Sequence, residues 1–476
     1  MTSILLRRLA FLAFGSLPAL WLASQALAAE GTFALQPASL LNSCTRVQAV
    51  LEVSGQLKVN PDGKKVAQMP ITAKGEYEFV EKVTAVDTGS TEEAEPVTRG
   101  MRYYRTGTAQ SRIAEHEVTN RIDDTHRLIG VSAGRSDVTL YSPHGPLTSD
   151  ELELLELPAN TLLLGRLLPG RETAVGETWK HDDGLAAALF NLDVVTDNKL
   201  ESKFVRTEAQ VAFVELEGAV EGSVAGVESR LKVAAKYQFD LASQRITWLA
   251  LSVQENRAVG HAEPGFDVTA RLRVTLAPGE EIPELSETAL SAVPGAPGTG
   301  LLLLAFQSKE SGFRFLHDRN WKVMVDRHDV TILRLVERGE LIAQCNISRM
   351  PDGAPDKQLT VGSFQADIRR VLDKNFGQFV DASEAKSEQG VRILRTIVAG
   401  VAADLPIQWN YYHLTDSQGH QASLVFTMDA KLVERFGATD QALIASFDFT
   451  SPNGKAPATP TNKTAAGKTA TSGPTR

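Results

Sequence analysis

The stretch LPIQWNYYHLTDSQGHQASLVFTM, residues 405–428, indicates most clearly how its part of the chain folds. Aromatic and β-branched residues flank a polar turn at residues 416–419, where Gly419 can adopt a positive φ, so the pattern predicts a β-hairpin. If Thr415 pairs with His420, one face of the hairpin is almost wholly apolar, because side chains alternate along a strand. That face comprises Ile407, Trp409, Tyr411, His413, Ala422, Leu424, Phe426 and Met428, and the opposite face carries Gln408, Asn410, Tyr412, Gln421, Ser423 and Thr427. We therefore expect a one-sided hairpin on a core, with Tyr412 as its exposed aromatic contact.

The composition is that of a globular protein with more than one core. The chain has 476 residues, 43% of them hydrophobic and 22% charged, and this length predicts two or three domains. The formal net charge is −9. A negative body argues against nucleic acid or anionic lipid headgroups as partners, because neither offers a counter-charge. An apolar ligand remains compatible with this charge.

The first residues have the pattern of a signal peptide. A basic start at residues 7–8 precedes an apolar core at residues 9–22 and small residues that end at Ala28. This pattern predicts a signal peptide over residues 1–28, cleaved near Ala28, and hence export to the periplasm or the extracellular space. An uncleaved anchor is the alternative, but the apolar core is short and contains Pro18.

The chain contains only two cysteines, Cys44 and Cys345. Two cysteines exclude a disulfide-rich scaffold and a zinc site of the usual four-cysteine kind. In an exported protein they could pair with each other, or both could be buried free thiols, and the sequence leaves these alternatives open.

Residues 30–280 predict a β-rich domain with few helices. Apolar residues alternate with polar ones over several long runs, as expected of antiparallel strands with one buried face. One helix is predicted to begin after Thr148, which has capping-box spacing to Glu151, and another begins at Asp182. The sequence therefore predicts an antiparallel half-barrel or curved sheet with one or two helices.

Two resemblances concern this domain. Residues 167–179 contain LLPG and VGETW, a pattern that resembles one seen in exported β-rich bacterial proteins of unknown function. The repeated strand pattern, interrupted by one or two helices, resembles the half-barrel of periplasmic lipoprotein carriers such as LolA. The resemblance implies a cup for a lipid or another apolar ligand.

A segment rich in proline and glycine, residues 281–300, predicts a linker, and residues 301–450 predict a second module. This module shows hairpins, a helix near residues 360–376, further antiparallel strands and a closing helix. Its element order resembles that of the PsbP-like α/β/α sandwich group, which includes PsbP and proteins related to DcrB. Three stretches share this resemblance, namely Trp321, the ISRMP stretch at residues 347–351 and the aromatic strand at residues 409–412. The resemblance implies a binding or assembly module that contacts a protein partner.

The predicted fold class of the whole chain is therefore α+β. The last segment, residues 451–476, consists mainly of Ala, Thr, Pro, Gly and Lys, a composition that predicts a disordered tail.

One motif points towards catalysis. Residues 130–134 read GVSAG, the G-x-S-x-G form of a nucleophile elbow around Ser132. The elbow requires a strand before the serine and a helix after it, whereas residues 135–141 predict a strand. A hairpin turn explains the two glycines without chemistry. If Ser132 were a nucleophile, then His144, His181 and His261 would be the candidate bases.

No other residues predict a catalytic, cofactor or metal site, since the histidines show no paired spacing that would hold a metal. The leading hypothesis is a non-enzymatic, exported cell-envelope protein that binds an apolar ligand in the β-rich domain or a protein partner through the second module. The alternatives are a serine hydrolase that uses Ser132 and a purely structural envelope component.

Overall fold

The computed structural model of the chain describes residues 31–59, 65–87, 96–353 and 359–450. The predicted signal peptide at residues 1–28 and the predicted tail at residues 451–476 lie outside the described residues. Strands make up 57% of the described residues and helices 16%. The predicted α+β class was therefore wrong, because the protein is mostly β and is built on large antiparallel sheets.

Residues 31–280 form the first module. Its strands are β1 (Thr32–Ala34), β2 (Cys44–Val59), β3 (Ala67–Asp87), β4 (Val97–Ile113), β5 (His116–Arg121), β6 (Leu128–Ala133), β7 (Val138–Tyr141), β8 (Leu147–Thr148), β9 (Glu172–Ala174), β10 (Thr178–Lys180), β11 (Val194–Asn198), β12 (Glu201–Glu208), β13 (Val211–Val224), β14 (Val227–Asp240), β15 (Arg245–Arg257) and β16 (Gly265–Pro278). Its helices are α1 (Ser149–Leu155) and α2 (Asp183–Phe190), with short 3-10 helices at Asp124–His126 and Thr161–Leu167.

Most of these strands form one antiparallel sheet, in the order β10-β12-β13-β14-β15-β16-β2-β3-β4-β6-β7. β11 pairs with β13, and β5 pairs with β4, beside this path. Alternate residues of each strand are buried, as in β2, where Val47 and Ala49 face the core while Gln48 is exposed. The face that carries Val47 and Ala49 is the inner face of the sheet.

The sheet curves around the helices on its inner face. Leu140 on β7 and Phe204 on β12 belong to one continuous core, although nine strand spacings separate these strands. In a flat sheet they would lie roughly 43 Å apart, at about 4.8 Å for each spacing. An α-helix is only about 10 Å across. The inner faces of both ends can therefore share a core with α1, α2 and Thr161–Leu167 only if the sheet bends.

A buried ion pair fixes the Thr161–Leu167 helix to the sheet. Arg102 Nε donates to Glu81 Oε2 at 2.7 Å, and both side chains are 4% exposed. Arg102 Nη2 also donates to Asn160 Oδ1 at 2.6 Å and to Thr161 Oγ1 at 2.8 Å. The Thr161 hydroxyl donates to Glu81 Oε2 at 2.6 Å. The start of this helix is thus bound to β3 and β4.

The segment at residues 281–300 packs against the first module. It contains a 3-10 helix (Pro283–Leu285), helix α3 (Glu287–Ser291) and the start of another 3-10 helix (Thr299–Leu302), whereas the sequence predicted no helix there. Leu285 is fully buried beside Cys44 and Val80. Lys82 Nζ donates to the Leu285 carbonyl at 3.0 Å and forms an ion pair with Glu281.

Residues 301–450 form the second module. Its strands are β17 (Leu304–Ser308), β18 (Phe313–His317), β19 (Trp321–Asp326), β20 (Thr331–Glu337), β21 (Glu340–Met350), β22 (Phe376–Lys386), β23 (Arg392–Ala402), β24 (Leu405–Thr415), β25 (Gln421–Asp429) and β26 (Asp448–Phe449). Its helices are α4 (Val361–Leu372), α5 (Val433–Phe436) and α6 (Thr439–Ala445), with 3-10 helices at Asp373–Asn375 and Ala430–Leu432.

The main sheet of the second module has the order β19-β20-β21-β25-β24-β23-β22. A smaller sheet, β26-β18-β17-β8, includes β8 of the first module, which runs parallel to β17. The predicted α/β/α sandwich was wrong. α4 has 12 residues, α6 has seven and α5 has four. α4 packs on one face of the main sheet, and α5 and α6 pack on the opposite face together with aromatic residues of β18. Such short helices do not form layers over the sheet.

The predicted hairpin at residues 405–428 is present as β24 and β25, but its predicted register was wrong. Thr415 pairs with Gln421 and not with His420. The connecting loop is one residue longer than predicted, because the Asp416 amide donates to the His420 carbonyl at 3.1 Å. The Asp416 carboxylate also accepts from the amides of Gln418 and His420, each at 2.9 Å.

This shift of one residue changes which side chains share a face. Tyr412 lies opposite Leu424 and is 1% exposed, so the prediction of an exposed Tyr412 was wrong. Its hydroxyl donates to buried Asp440 at 2.8 Å. Trp409 faces the other way and packs with Phe364 of α4. The hairpin is therefore covered on both faces, where the sequence predicted one.

Candidate functional site

The helices cover only part of the inner face of the first module and leave a cavity of about 940 Å³. Pockets that bind small molecules and cofactors span about 300–1,000 Å³, so this volume is near the upper end of that range. Five neighbouring strands, β3, β2, β16, β15 and β14, form one wall. Apolar side chains predominate on this wall, among them Leu51, Val53, Leu231, Val253, Val268 and Ala270.

The strand wall follows from alternation along β2 and its neighbours. Val47 and Ala49 are buried under the helices, while Leu51 and Val53 continue the same inward row and are only half-buried. Across the sheet Val53 pairs with Ala270, and Ala270 pairs with Val253. One apolar row thus runs from the core into the cavity.

Helix α2 and the residues after it form the facing wall. Asp182 caps this helix by accepting from the Leu185 amide at 2.8 Å, as the sequence predicted. The helix directs Ala188 and Phe190 to the cavity, and Leu192 follows on the same wall. All three are nearly fully buried, which fixes the wall in place.

The rim of the cavity is charged. Glu153 of α1 and Glu156 directly after it line the cavity with Glu263 and Lys322, and Lys322 belongs to the second module. Lys322 Nζ lies 3.4 Å from Glu263 Oε1. Among the described residues, Glu153 and Glu156 have no hydrogen-bond or ion-pair partner for their carboxylates.

The surroundings of these two carboxyls disfavour their charged forms. Desolvation raises the pKa of Glu153, and the negative charges of Asp150 and Glu263 add to this effect, while the positive charge of Lys322 opposes it. Desolvation also raises the pKa of Glu156, although the positive charges of Lys322 and Arg319 oppose the shift. Water in the cavity can reach both side chains, so each is exposed by surface area. Protein atoms nevertheless surround both carboxyls on most sides, and this surrounding protein desolvates them.

Contacts between the modules place Lys322 at the rim. Arg319, three residues before it, donates from Nη2 to the Leu140 carbonyl at 2.7 Å and from Nε to the Leu302 carbonyl at 2.8 Å. Tyr141 in the first module donates its hydroxyl to the Pro294 carbonyl at 3.3 Å. The second module therefore supplies part of the site.

A charged pair on β15 also lines the cavity. Arg257 Nη2 is 2.7 Å from Glu255 Oε1, and the two side chains are 13% and 16% exposed. The Ser229 hydroxyl also donates to Glu255, and the Arg257 guanidinium lies 4.6 Å from the centre of the Phe266 ring. Since each of these charges has a partner in the protein, neither needs a counter-charge from a ligand.

A second, smaller cleft of about 340 Å³ lies on the outer face of the same sheet. Small side chains such as Ala234, Ala250 and Ser252 form its floor, and charged side chains such as Arg271 and Arg273 surround them. The inner cavity is larger and is lined by residues that the alternation directs away from bulk water. We therefore regard the inner cavity as the candidate site.

The structure places Ser132 within a hairpin. It lies on β6 and pairs with Thr139 on β7 and with Arg99 on β4. A nucleophile elbow needs a helix after the serine, and here a strand follows. No hydrogen bond joins Ser132 to a histidine among the described residues.

The three histidines considered as bases have other surroundings. His181 Nε2 lies 2.8 Å from Ser202 Oγ, and desolvation lowers the pKa of His181 to about 4. The His144 amide donates to Ser142, and the His261 carbonyl accepts from Arg334. The geometry gives no support to a catalytic triad at Ser132.

Cys44 and Cys345 are free and buried in separate core clusters, and burial raises the pKa of both thiols.

Within the described ranges, no group of three His, Cys, Asp or Glu side chains has an arrangement that could hold a metal ion. None of the described helices has the length and the apolar character needed to cross a membrane.

The sequence predicted a ligand cup in this domain only through a resemblance, and it identified none of the residues that line the cavity or its rim. The alternation at residues 51–57 and 266–270 shows that these strands have an apolar face, but it does not show what covers that face. A usable signal was the imbalance between many long strands and two short helices, which leaves apolar surface without a cover.

Comparison with known proteins does not establish a family. No protein-family model matches the chain, and no curated protein matches it. Cyanobacterial PsbP (CyanoP) from Synechocystis sp. PCC 6803 is 18% identical over 32% of this chain and 96% of its own, with a TM-score of 0.23. A BenF-like porin from Pseudomonas fluorescens Pf-5 is 6% identical over 82% of this chain and 98% of its own, with a TM-score of 0.12. TM-scores this low establish no shared fold.

Proposed function

We propose that the protein is a non-enzymatic, exported cell-envelope protein that binds an apolar ligand in the inner cavity of the first module. The observation that carries this proposal is the cavity of about 940 Å³ between the curved sheet and α2, in which apolar side chains of β2 and β16 form a continuous strip. An apolar face left open to water is unfavourable by about 25 cal/mol for each Å². A ligand that covers the face removes this penalty. Export is proposed from the signal-peptide pattern of residues 1–28.

A substitution that fills the cavity tests this proposal. Ala270 lies on the inner face of β16 between Val53 and Val253, so Ala270→Trp places a large ring in the cavity. Ala250→Trp on β15 is the matched control, because Ala250 is also half-buried but lies on the outer face. Binding is measured by titrating the purified mature chain with an uncharged fluorescent probe, N-phenyl-1-naphthylamine.

We expect Ala270→Trp to weaken binding of the probe at least about tenfold, which corresponds to about 1.4 kcal/mol, while Ala250→Trp leaves it unchanged. Native mass spectrometry of protein purified from its own envelope should show a bound apolar molecule. Equal binding by both variants, or no binding by the unmodified protein, would contradict the proposal and favour a purely structural role.

The hydrolase alternative has a separate test. Ser132 lies in a hairpin without a histidine partner, so Ser132→Ala should leave every activity in an esterase and amidase screen unchanged. Loss of an activity in this variant, with the fold intact by circular dichroism, would support the hydrolase.

A protein partner for the second module stays a prediction. β22 is an edge strand of the main sheet, and most of its side chains are exposed, including Val380 at 55%. An exposed edge strand can pair with a strand of another chain. A photo-crosslinking residue at Val380, compared with one at exposed Val118 in the first module, would show whether a partner binds there.

A further inference from the structure

The charges of the cavity are strongly unbalanced. Six acidic residues line it, namely Asp137, Glu153, Glu156, Asp193, Glu255 and Glu263, against two basic residues, Arg257 and Lys322. Arg257 is already paired with Glu255, and Lys322 lies near Glu263. Among the described residues, Glu153 and Glu156 therefore have no ion-pair partner, although the charge of Lys322 acts on both and that of Arg319 on Glu156.

These two carboxylates line the same cavity as the apolar side chains of β2 and β16. Glu153 and Glu156 belong to one turn at the end of α1, and residues three apart on a helix lie on the same side of it. The walls behind them, formed by β2, β15 and β16, are mostly apolar. A molecule that fills this space has to be apolar along most of its length and polar at the end that meets the rim.

We propose that the ligand is an amphiphile with an ammonium head group, which lies between the carboxylates of Glu153 and Glu156 while its hydrocarbon chain extends along β2, β16 and β15. This inference rests on the proposed function and specifies the class of ligand for the same cavity. An ammonium group supplies the direct ion-pair partner that both carboxylates lack and donates hydrogen bonds to them. A carboxylate or phosphate monoester head would be repelled by the same groups.

The charges around the rim favour this assignment. Asp150 and Glu263 add negative charge near Glu153, and both shift its pKa upwards. Lys322 and Arg319 are the cations that act on Glu156. Arg319 is held by two backbone carbonyls and Lys322 lies near Glu263, so neither side chain replaces a ligand at the two glutamates.

The test compares amphiphiles of equal chain length below their micelle concentrations. Dodecylammonium and dodecanoate differ only in their head groups, and each is titrated against the probe bound to the purified mature chain. We expect dodecylammonium to bind at least about tenfold more tightly than dodecanoate, a difference of about 1.4 kcal/mol. The double variant Glu153→Gln/Glu156→Gln should lose most of this preference.

The matched control removes the same net charge elsewhere. Glu172 and Glu201 are exposed and do not line the cavity, so Glu172→Gln/Glu201→Gln should keep the preference. A second comparison, lysophosphatidylethanolamine against lysophosphatidylglycerol, identifies the source of the ammonium group. Preference for the ethanolamine lipid indicates a phospholipid head, and equal binding of the two lipids beside a preference for dodecylammonium indicates a simple amine.

The outcomes separate this inference from the function on which it rests. If no amphiphile displaces the probe, the proposed function fails. If dodecanoate binds as tightly as dodecylammonium to the unmodified protein, the cavity binds apolar chains but the ammonium assignment is wrong. The same conclusion follows if the Glu153→Gln/Glu156→Gln variant folds and keeps the preference. If it does not fold, the comparison on the unmodified protein decides the question alone.

Discussion

Replacement of Arg102 by methionine should strongly destabilise the first module. The Arg102 side chain is 4% exposed and donates to Glu81, Asn160 and Thr161. Methionine fills a similar volume but leaves the Glu81 carboxylate buried with one remaining donor, the Thr161 hydroxyl. Removing one partner of a buried ion pair costs about 3–5 kcal/mol, because the other charge stays desolvated.

The assay is urea unfolding followed by circular dichroism, with thermal unfolding as a second measure. For a module of about 250 residues, a loss of 3–5 kcal/mol corresponds to a decrease in Tm of roughly 6–20 °C. The double variant Glu81→Gln/Arg102→Met should be less destabilised than the sum of the single variants, since no charge is then left unpaired.

Arg105→Met provides the matched control on the same pair of strands. Arg105 and Glu78 form an ion pair of 3.5 Å whose side chains are 50% and 31% exposed. Exposed pairs contribute about 0–1 kcal/mol, so this variant should lose little stability. If Arg102→Met lost no more stability than Arg105→Met, the claim that the Glu81–Arg102 pair holds the inner helix to the sheet would be refuted.

Three further predictions concern pH, a buried hydroxyl and a helix contact. Burial lowers the pKa of His181 to about 4 from 6.5, so between these pH values the unfolded chain binds more protons than the folded one. The free energy of unfolding should therefore decrease by about 3 kcal/mol in total as the pH falls from about 6.5 to 4. His181→Gln should flatten this pH dependence, measured by urea unfolding at a series of pH values. Tyr412→Phe removes the hydroxyl that donates to buried Asp440 and should lower the free energy of unfolding by about 1.5–3 kcal/mol in the same assay. An unchanged free energy of unfolding would show that this hydrogen bond does not stabilise the fold. Phe364→Ala should lower the free energy of unfolding by about 3–5 kcal/mol, because this ring is 7% exposed and packs between α4 and the sheet. Val371→Ala on the same helix, where the side chain is 74% exposed, should change it by no more than about 0.5 kcal/mol. Equal losses in the two variants would show that α4 does not pack as described.

Local signals predicted local structure correctly. Thr148 and Glu151 form the capping box that begins α1, and Asp182 caps α2, because these contacts depend only on residues three apart. The hairpin at residues 405–428 was also predicted, but its register was wrong, since the Asp416 side chain binds two loop amides and adds one residue to the turn. One residue in a turn is enough to exchange the faces of a strand.

The fold class and the site depend on contacts that no local pattern contains. Alternation along β2 shows that Leu51 and Val53 face the same side as Ala49, yet only the tertiary structure shows that helices cover one end of this row and leave the other open. Similarly, Glu156 and Lys322 lie far apart in the sequence and meet at the rim because the second module is held against the first. The α/β/α expectation failed because the pattern of residues 360–376 predicts that a helix exists, not that helices form a layer.

Photoaffinity labelling can locate a bound hydrocarbon chain on the protein. A hydrocarbon probe that carries a diazirine near the end of its chain is bound to the purified mature protein, irradiated and located by peptide mass spectrometry. We predict labels on the inner face, at Val53, Val253, Val268 or their neighbours in the cavity, and their loss in Ala270→Trp. Labels confined to the outer cleft around Ala234 and Ala250, or to the second module, would contradict the account.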